Sequence, residues 1–250
     1  MQLPSFIKKI AKKLQSILPI AISKNEVYDR LTKEIIKATC VQDSICIDIG
    51  ANEGKILDWI TKTAPHAMHY AFEPIPCLYE NLKIQFAPHA MIFPVALSDQ
   101  KSISSFNLVI TNHALSGLKK RPYPSFNQEK NINVTTDLLD NIIKEDDKIH
   151  LIKIDVEGGE YNVLKGATKT IHNSNPIILF ECGAIGGELY GFTASDVFKL
   201  FNEIFEYRIY TLKGWLHTKK KISYTEFEKF FETGKEYFFL AAPKSNSKNS

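Results

Sequence analysis

The sequence predicts a doubly wound α/β domain on a mostly parallel seven-stranded sheet, preceded by a helical extension. Three observations carry this. Short β-branched apolar runs alternate with helical patterns from about residue 44 onward, which requires crossover connections and therefore a parallel sheet covered on both faces. The runs are near-continuously apolar, as strands buried on both sides are. Acids and glycines recur where the runs end, at the edge where open α/β sheets bind ligands.

Taken in order, strands are expected at 44–49 (SICIDI), 67–72 (AMHYAF), 91–95 (MIFPV), 149–154 (IHLIKI) and 176–181 (PIILFE). Two more follow at 206–211 (EYRIYT) and 237–241 (YFFLA). Helical spacing falls near 55–63, 76–86, 160–172 and 194–204. Two insertions interrupt the alternation. Residues 101–137 are polar and Pro-containing before a strand-like INVTT, and 213–235 read as a turn or hairpin followed by a short helix. Insertions of this kind often shape the substrate side of a site. The expected organisation is a helical extension at 1–43, a domain at 44–243, and a disordered Ser/Asn/Lys tail at 244–250.

The chain has 250 residues, 44% of them hydrophobic and 24% charged. That is enough to bury a core and too apolar for a disordered chain, while no apolar run is long enough to span a bilayer. The net charge of +3 is unevenly spread: residues 1–24 hold five lysines and no acid, residues 244–250 hold two lysines, and the body between them is therefore −4. An acidic body disfavours a nucleic-acid partner. Cys40, Cys46, Cys77 and Cys182 show no Cys-x-x-Cys pair or zinc spacing, so they read as small buried hydrophobes in a reducing, cytoplasmic setting. The N-terminus is a poor secretory signal, because its lysines are interleaved with apolar residues. Phe6, Ile7, Ile10, Ala11, Leu14, Ile17 and Leu18 recur at helical spacing beside Lys8, Lys9, Lys12 and Lys13. Residues 3–18 suit either peripheral contact with the inner membrane surface or packing on the domain.

The strongest local signal is IDIGANEG at 47–54. Asp48 closes a strand, Gly50 and Gly54 flank a tight turn, and a helix follows, whose backbone N–H groups favour polar or negative ligand groups. Asn52 stands where a dinucleotide fingerprint has its second glycine, which points away from NAD or FAD and toward a smaller adenosine ligand. The next strand ends in Glu73-Pro74. Proline keeps Glu73 extended, placed to accept hydrogen bonds from ribose hydroxyls. A third strand leads to Ala96-Leu97-Ser98-Asp99, where an acid suits an adenine amino group and a plain turn suits the residues equally. The fourth ends in Asp155-Val156-Glu157-Gly158-Gly159-Glu160. Carboxylates this close raise one another's pKa, a route to a general base, although Glu160 also suits the first turn of a helix. The fifth brings Glu181 and Gly183 to the same edge.

Five segments in order, Asp-Ile-Gly-Ala-Asn-x-Gly, Phe-Glu-Pro, Ala-Leu-Ser-Asp, Ile-Lys-Ile-Asp-Val-Glu-Gly-x-Glu and Val-Leu-x-Gly-Ala at 163–167, make residues 44–183 resemble the FkbM family of S-adenosylmethionine-dependent methyltransferases. The resemblance implies a Rossmann-like class I methyltransferase fold, S-adenosyl-L-methionine as cofactor, and often O-methylation of a sugar, glycan or small-molecule hydroxyl. It implies that Asp48, Gly50, Ala51, Asn52 and Gly54 hold the methionine end. Glu73 with Pro74 would hold the ribose, Ser98 and Asp99 would neighbour the adenine, and Asp155 would lie near the sulfonium and the acceptor. Where the family commonly shows Thr-Leu-Asp, this chain reads Thr136-Asp137-Leu138-Leu139-Asp140, which leaves the register of Asp140 open.

Methyl transfer to a hydroxyl needs positioning and a base. Asp155 is the first candidate, then Glu157 and Glu181, with His113 as an alternative. No ligand spacing demands a metal. A non-catalytic cofactor-binding or membrane-associated scaffold is the competing class.

Overall fold

A computed structural model describes residues 23–122 and 127–244. The basic stretch at 3–18 and the tail from 245 lie outside the described residues. The first described helix, α1 (Lys24–Thr39), begins at a capping box: Ser23 accepts from Glu26 N–H while the Glu26 side chain accepts from Ser23 N–H, satisfying two orphan helix donors. Its buried Tyr28, Leu31, Thr32, Ile35 and Ile36 form one stripe. That stripe packs into the core with Cys46, Leu151, Leu179 and Leu240. Residues 24–39 thus belong to the domain itself, and the boundary expected at residue 43 does not separate them from it.

The central elements follow as β1 (Ile45–Ile49), α2 (Lys55–Thr63), β2 (His69–Phe72), α3 (Pro76–Phe86) and β3 (Ala90–Phe93). Pro94 interrupts the strand expected at 91–95. It has no N–H for a ladder, and the chain leaves the main sheet there to form β4 (Val95–Leu97) in a second one. The 101–137 insertion supplies β5 (Ser102–Val109) and β6 (Glu129–Asp137), an antiparallel pair with β4 alongside β6.

The chain returns to the main sheet with β7 (Ile149–Ile154), α4 (Glu160–Lys165), α5 (Thr168–Ser174) and β8 (Ile177–Glu181). The helix expected at 160–172 is broken at Gly166, where a Cβ would come within 2.1 Å of the Ser98 carbonyl oxygen. Then come α6 (Ala184–Tyr190), α7 (Ala194–Lys199) running into a wider π turn at Leu200–Ile204, and β9 (Tyr207–Thr211). The 213–235 segment is two helices, α8 (Leu212–His217) and α9 (Tyr224–Thr233), rather than a hairpin and a helix. Thr211 caps the first by accepting from Gly214 N–H, a stop-and-start signal that the lysine run obscures. β10 (Phe238–Pro243) closes the sheet.

The seven-stranded order is β3-β2-β1-β7-β8-β10-β9, with only β10 antiparallel to its neighbours. Side chains alternate between faces. Ile47, Ile49, Ile152, Ile154, Ile178 and Phe180 enter one core, and Cys46, Leu151 and Leu179 enter the other beneath α1. Each fully buried Ile or Leu contributes roughly 1.5–3 kcal/mol, so the layers on both faces hold the sheet together. From β1 the chain winds outward to β3 and then comes back to β7 on the other side of β1. The crevice at that reversal is where a doubly wound sheet takes ligand.

Candidate functional site

A cavity of about 470 Å³ lies over the carboxyl ends of β1, β2, β7 and β8, within the range of roughly 300–1,000 Å³ typical of small-ligand sites. Its floor is the loop after β1. Gly50, Asn52 and Gly54 have φ of 73°, 49° and 82°, the left-handed region that favours Gly and tolerates Asn. That is the reason Asn52 replaces a glycine here. A Cβ on Gly50 would lie 1.9 Å from the Asp155 carbonyl oxygen, so a bare backbone is what lets the β1 and β7 ends meet.

Glu73 is buried and ties this loop to the next: one carboxylate oxygen accepts from Asn52 N–H at 2.8 Å and the other from Ile75 N–H at 2.9 Å. Burial pushes its pKa up, with these two amides opposing. Pro74, Ala51 and Ser98 line the same wall. Phe72 and Leu97 supply apolar surface beside them.

Lys153 is the residue that sequence reasoning passed over. It sits in the apolar run IHLIKI, and a lysine in a central parallel strand must find partners. Its ammonium donates to the Gly50 carbonyl at 2.8 Å, and lies 3.3 Å from Asp48 Oδ1 and 3.8 Å from Asp155 Oδ2. Burial alone would push the Lys153 pKa down, but Asp48 and Asp155 outweigh it and hold it above the ordinary value. Asp48 is fully buried on the α1 side of the sheet, and neither oxygen has a hydrogen-bond donor in good geometry. It does not line the cavity. It lies beneath the floor, facing the Lys153 ammonium.

Two other expected contacts fall elsewhere. Gly54 faces α3, where a Cβ would meet Leu82 and Phe86 at 2.6 Å, so it serves helix packing. Asp99 pairs with Lys165 at 2.5 Å, away from the cavity lining. Asp140 caps α5, accepting from the backbone N–H groups of Lys169 and Thr170 at 2.8 Å. The cysteines divide: Cys40, Cys46 and Cys182 are buried, whereas Cys77 is exposed.

The opposite end of the cavity is acidic. Glu157 and Glu181 line it, Asp155 lies between the two ends, and His113 from the 101–137 insertion also lines the cavity. Glu157 has φ 61°, a strained conformation for a residue with a long side chain. Burial, then repulsion from Asp155, pushes its pKa up to about 8, with Arg121 opposing. Arg121 pairs with Glu157 and lies 3.9 Å from Glu181. Burial raises the Glu181 pKa well above the ordinary range, and Asp155 raises it further. Glu160 lies behind, one oxygen accepting from Val156 and Gly158 N–H. It shapes the turn, as its helix-start position suggested. Burial places its pKa at about 7, despite those amides.

Residues that no motif marked complete this end. Asn25 and Tyr28 reach it from α1, Tyr190 from α6 and Tyr237 from the start of β10. Only the antiparallel register of β10, with Phe238 opposite Glu181, brings Tyr237 to the carboxyl edge.

The sequence profile of the methyltransferase FkbM domain matches residues 48–209. The methyltransferase FkbM of Methylobacillus flagellatus KT has a crystal structure that superposes with a TM-score of 0.50 at 16% identity, covering 81% of this chain and 44% of that one. The precorrin-6y C5,15-methyltransferase of Geobacter metallireducens GS-15 superposes with a TM-score of 0.46 at 14% identity, over 90% and 94% of the two chains. The AMB antimetabolite synthetase AmbE of Pseudomonas aeruginosa is 25% identical over 161 residues, half of this chain. The chain spans only 8% of that synthetase and less than half of the FkbM structure. With its profile match across most of the sheet, its strand order and its glycine loop at the β1–β7 crevice, this chain belongs to the FkbM family of S-adenosylmethionine-dependent methyltransferases.

Proposed function

We propose that this protein O-methylates a hydroxyl of a sugar, glycan or other small molecule, with Asp155 taking the proton. The observation that carries the reading is the two-ended cavity: a glycine loop and buried Glu73 at one end, carboxylates and tyrosines at the other, and Asp155 between them. The residues fit the cofactor. Gly50 and Asn52 turn the β1 loop into the cavity at positive φ, Glu73 presents a carboxylate suited to ribose hydroxyls, and Asp155 is a counter-charge for a sulfonium. Gly50, Ala51 and Asn52 would hold the methionine end, and Ser98 and Leu97 would flank the adenine.

When bound, S-adenosylmethionine supplies a methyl on cationic sulfur, which an oxygen nucleophile takes in line as the methyl–sulfur bond breaks. Everything else falls to the chain. Asp155 accepts the hydroxyl proton, and its 34% side-chain exposure and its 3.8 Å distance from Lys153 leave an oxygen free to do so. Glu157 is held by Arg121, so with Glu181 and His113 it is better suited to orienting the acceptor. Tyr28, Tyr190 and Tyr237 give flat walls against which a sugar ring packs.

The test is methyl transfer from labelled S-adenosylmethionine to a panel of free, nucleotide-linked and lipid-linked sugars. The expected product carries the label on oxygen. Asp155→Asn should keep S-adenosylhomocysteine binding and lose about 10²–10⁴-fold in transfer rate. Full turnover by that variant would refute the base assignment. Tight S-adenosylhomocysteine binding with no transfer to any acceptor would favour a cofactor-binding scaffold.

A further inference from the structure

The α8 helix and the turn that follows it present Lys213, His217, Lys219, Lys220 and Lys221, all exposed. The nearby acids are engaged. Glu236 accepts from the Tyr28 hydroxyl at 2.5 Å, and Glu226 caps α9 while lying 3.9 Å from Lys220. Among the described residues Lys213 and Lys221 form no ion pair. Trp215 is half-buried on the same helix, with the Lys219 ammonium 3.2 Å from its ring centroid. An aromatic ring flanked by lysines is a side-chain set suited to a lipid–water interface.

This basic face adjoins α1. A groove of about 420 Å³ between the two helices is lined by Lys24, Tyr28, Leu31, Lys213 and His217 among others. Tyr28 lines the acidic end of the catalytic cavity as well. Lys24 at the start of α1 and Lys213 and His217 of α8 therefore set basic side chains on both sides of this groove.

We propose that the face formed by α8, the Lys219–Lys221 turn and the start of α1 docks on an anionic lipid bilayer. Docked there, the protein holds the Tyr28 and Asn25 side of the cavity close to the headgroups, within reach of an acceptor at the membrane surface. A bilayer suits the face better than a soluble polyanion does, because Trp215 and the groove offer apolar surface between the lysines. The proposal does not depend on the acceptor being a sugar.

The test is co-sedimentation of the full chain with vesicles of phosphatidylcholine alone and of equimolar phosphatidylcholine and phosphatidylglycerol. Binding is expected only to the anionic vesicles, and to weaken as salt rises. The variant K213E/K219E/K220E/K221E should lose about tenfold or more in partitioning, since each basic residue near an anionic surface contributes measurably. Unchanged S-adenosylhomocysteine binding would show that the variant is folded. Three results would overturn the proposal: no binding of the wild type to anionic vesicles, undiminished binding of the quadruple variant, or tighter binding to heparin or RNA than to vesicles.

Discussion

Lys153 joins the two halves of the carboxyl edge through single contacts. Its ammonium bridges the β1 acid Asp48 and the β7 acid Asp155, and it also donates to the Gly50 carbonyl. Lys153→Met would leave Asp48 as an uncompensated buried charge, so chemical denaturation should show a loss of about 3–5 kcal/mol. Adding Asp48→Asn should recover part of that loss, because the two sites are coupled. A second residue-scale prediction concerns Glu157 and pH. Its folded-state pKa of about 8 lies above the ordinary carboxylate value. Its contribution to stability is therefore fully present below about pH 4.5 and is lost as pH rises through 8. Thermal melts from pH 5 to 9 should fall less steeply for Glu157→Gln than for the wild type, and parallel profiles would contradict the assignment. At this scale the sequence was informative where chemistry shows in local spacing, as at Gly50, Glu73 and Asp155. It was silent where a partner comes from far along the chain. Nothing near Glu157 announces Arg121, and nothing near Glu181 announces Tyr237.

Elements reached the structure in proportion to how local their determinants are. α2 and α3 occupy the residues their spacing predicts, because an apolar stripe and a proline start are both written within one helix. The breaks were harder to read. Gly166 splits a helix because Ser98, far away in sequence, packs against it. α6 begins AIGG, poor helix-forming sequence, yet Gly186 permits the close approach to Gly158 that seats the turn after β7. The 101–137 insertion resolves into a small sheet whose connecting loop brings His113 to the cavity and Arg121 to Glu157. The β1 loop is the element with least freedom. Gly50→Ala would meet the Asp155 carbonyl at a positive φ, costing about 1–3 kcal/mol from backbone strain alone and prising the β1 and β7 ends apart. Lower thermal stability together with weakened S-adenosylhomocysteine binding is the expected outcome, and an unaffected double readout would show that the crevice does not depend on this contact.

Across the whole molecule, charge and topology converge on one edge. The reversal of strand order between β1 and β7 creates the crevice, and β10, the antiparallel strand of the seven-stranded sheet, starts at the same edge. Glu73, Asp155, Glu157 and Glu181 meet at that edge, while Lys213, Lys219, Lys220 and Lys221 are exposed outside it. The fold class was legible because continuous apolar strands admit few architectures, whereas the second sheet was only partly so: INVTT reads as a strand, but β4 and β5 do not show, and Pro94 falls within a strand expected of the first sheet. The central claim is that the β1–β7 crevice binds the methyl donor, with Glu73 holding its ribose. Calorimetric titration with S-adenosylhomocysteine tests it most directly. Saturable binding by the wild type is expected, with about 10–100-fold weaker binding by Glu73→Gln, the loss of a charge-assisted hydrogen bond. No binding by the wild type, or equal affinity in the two proteins, would contradict it.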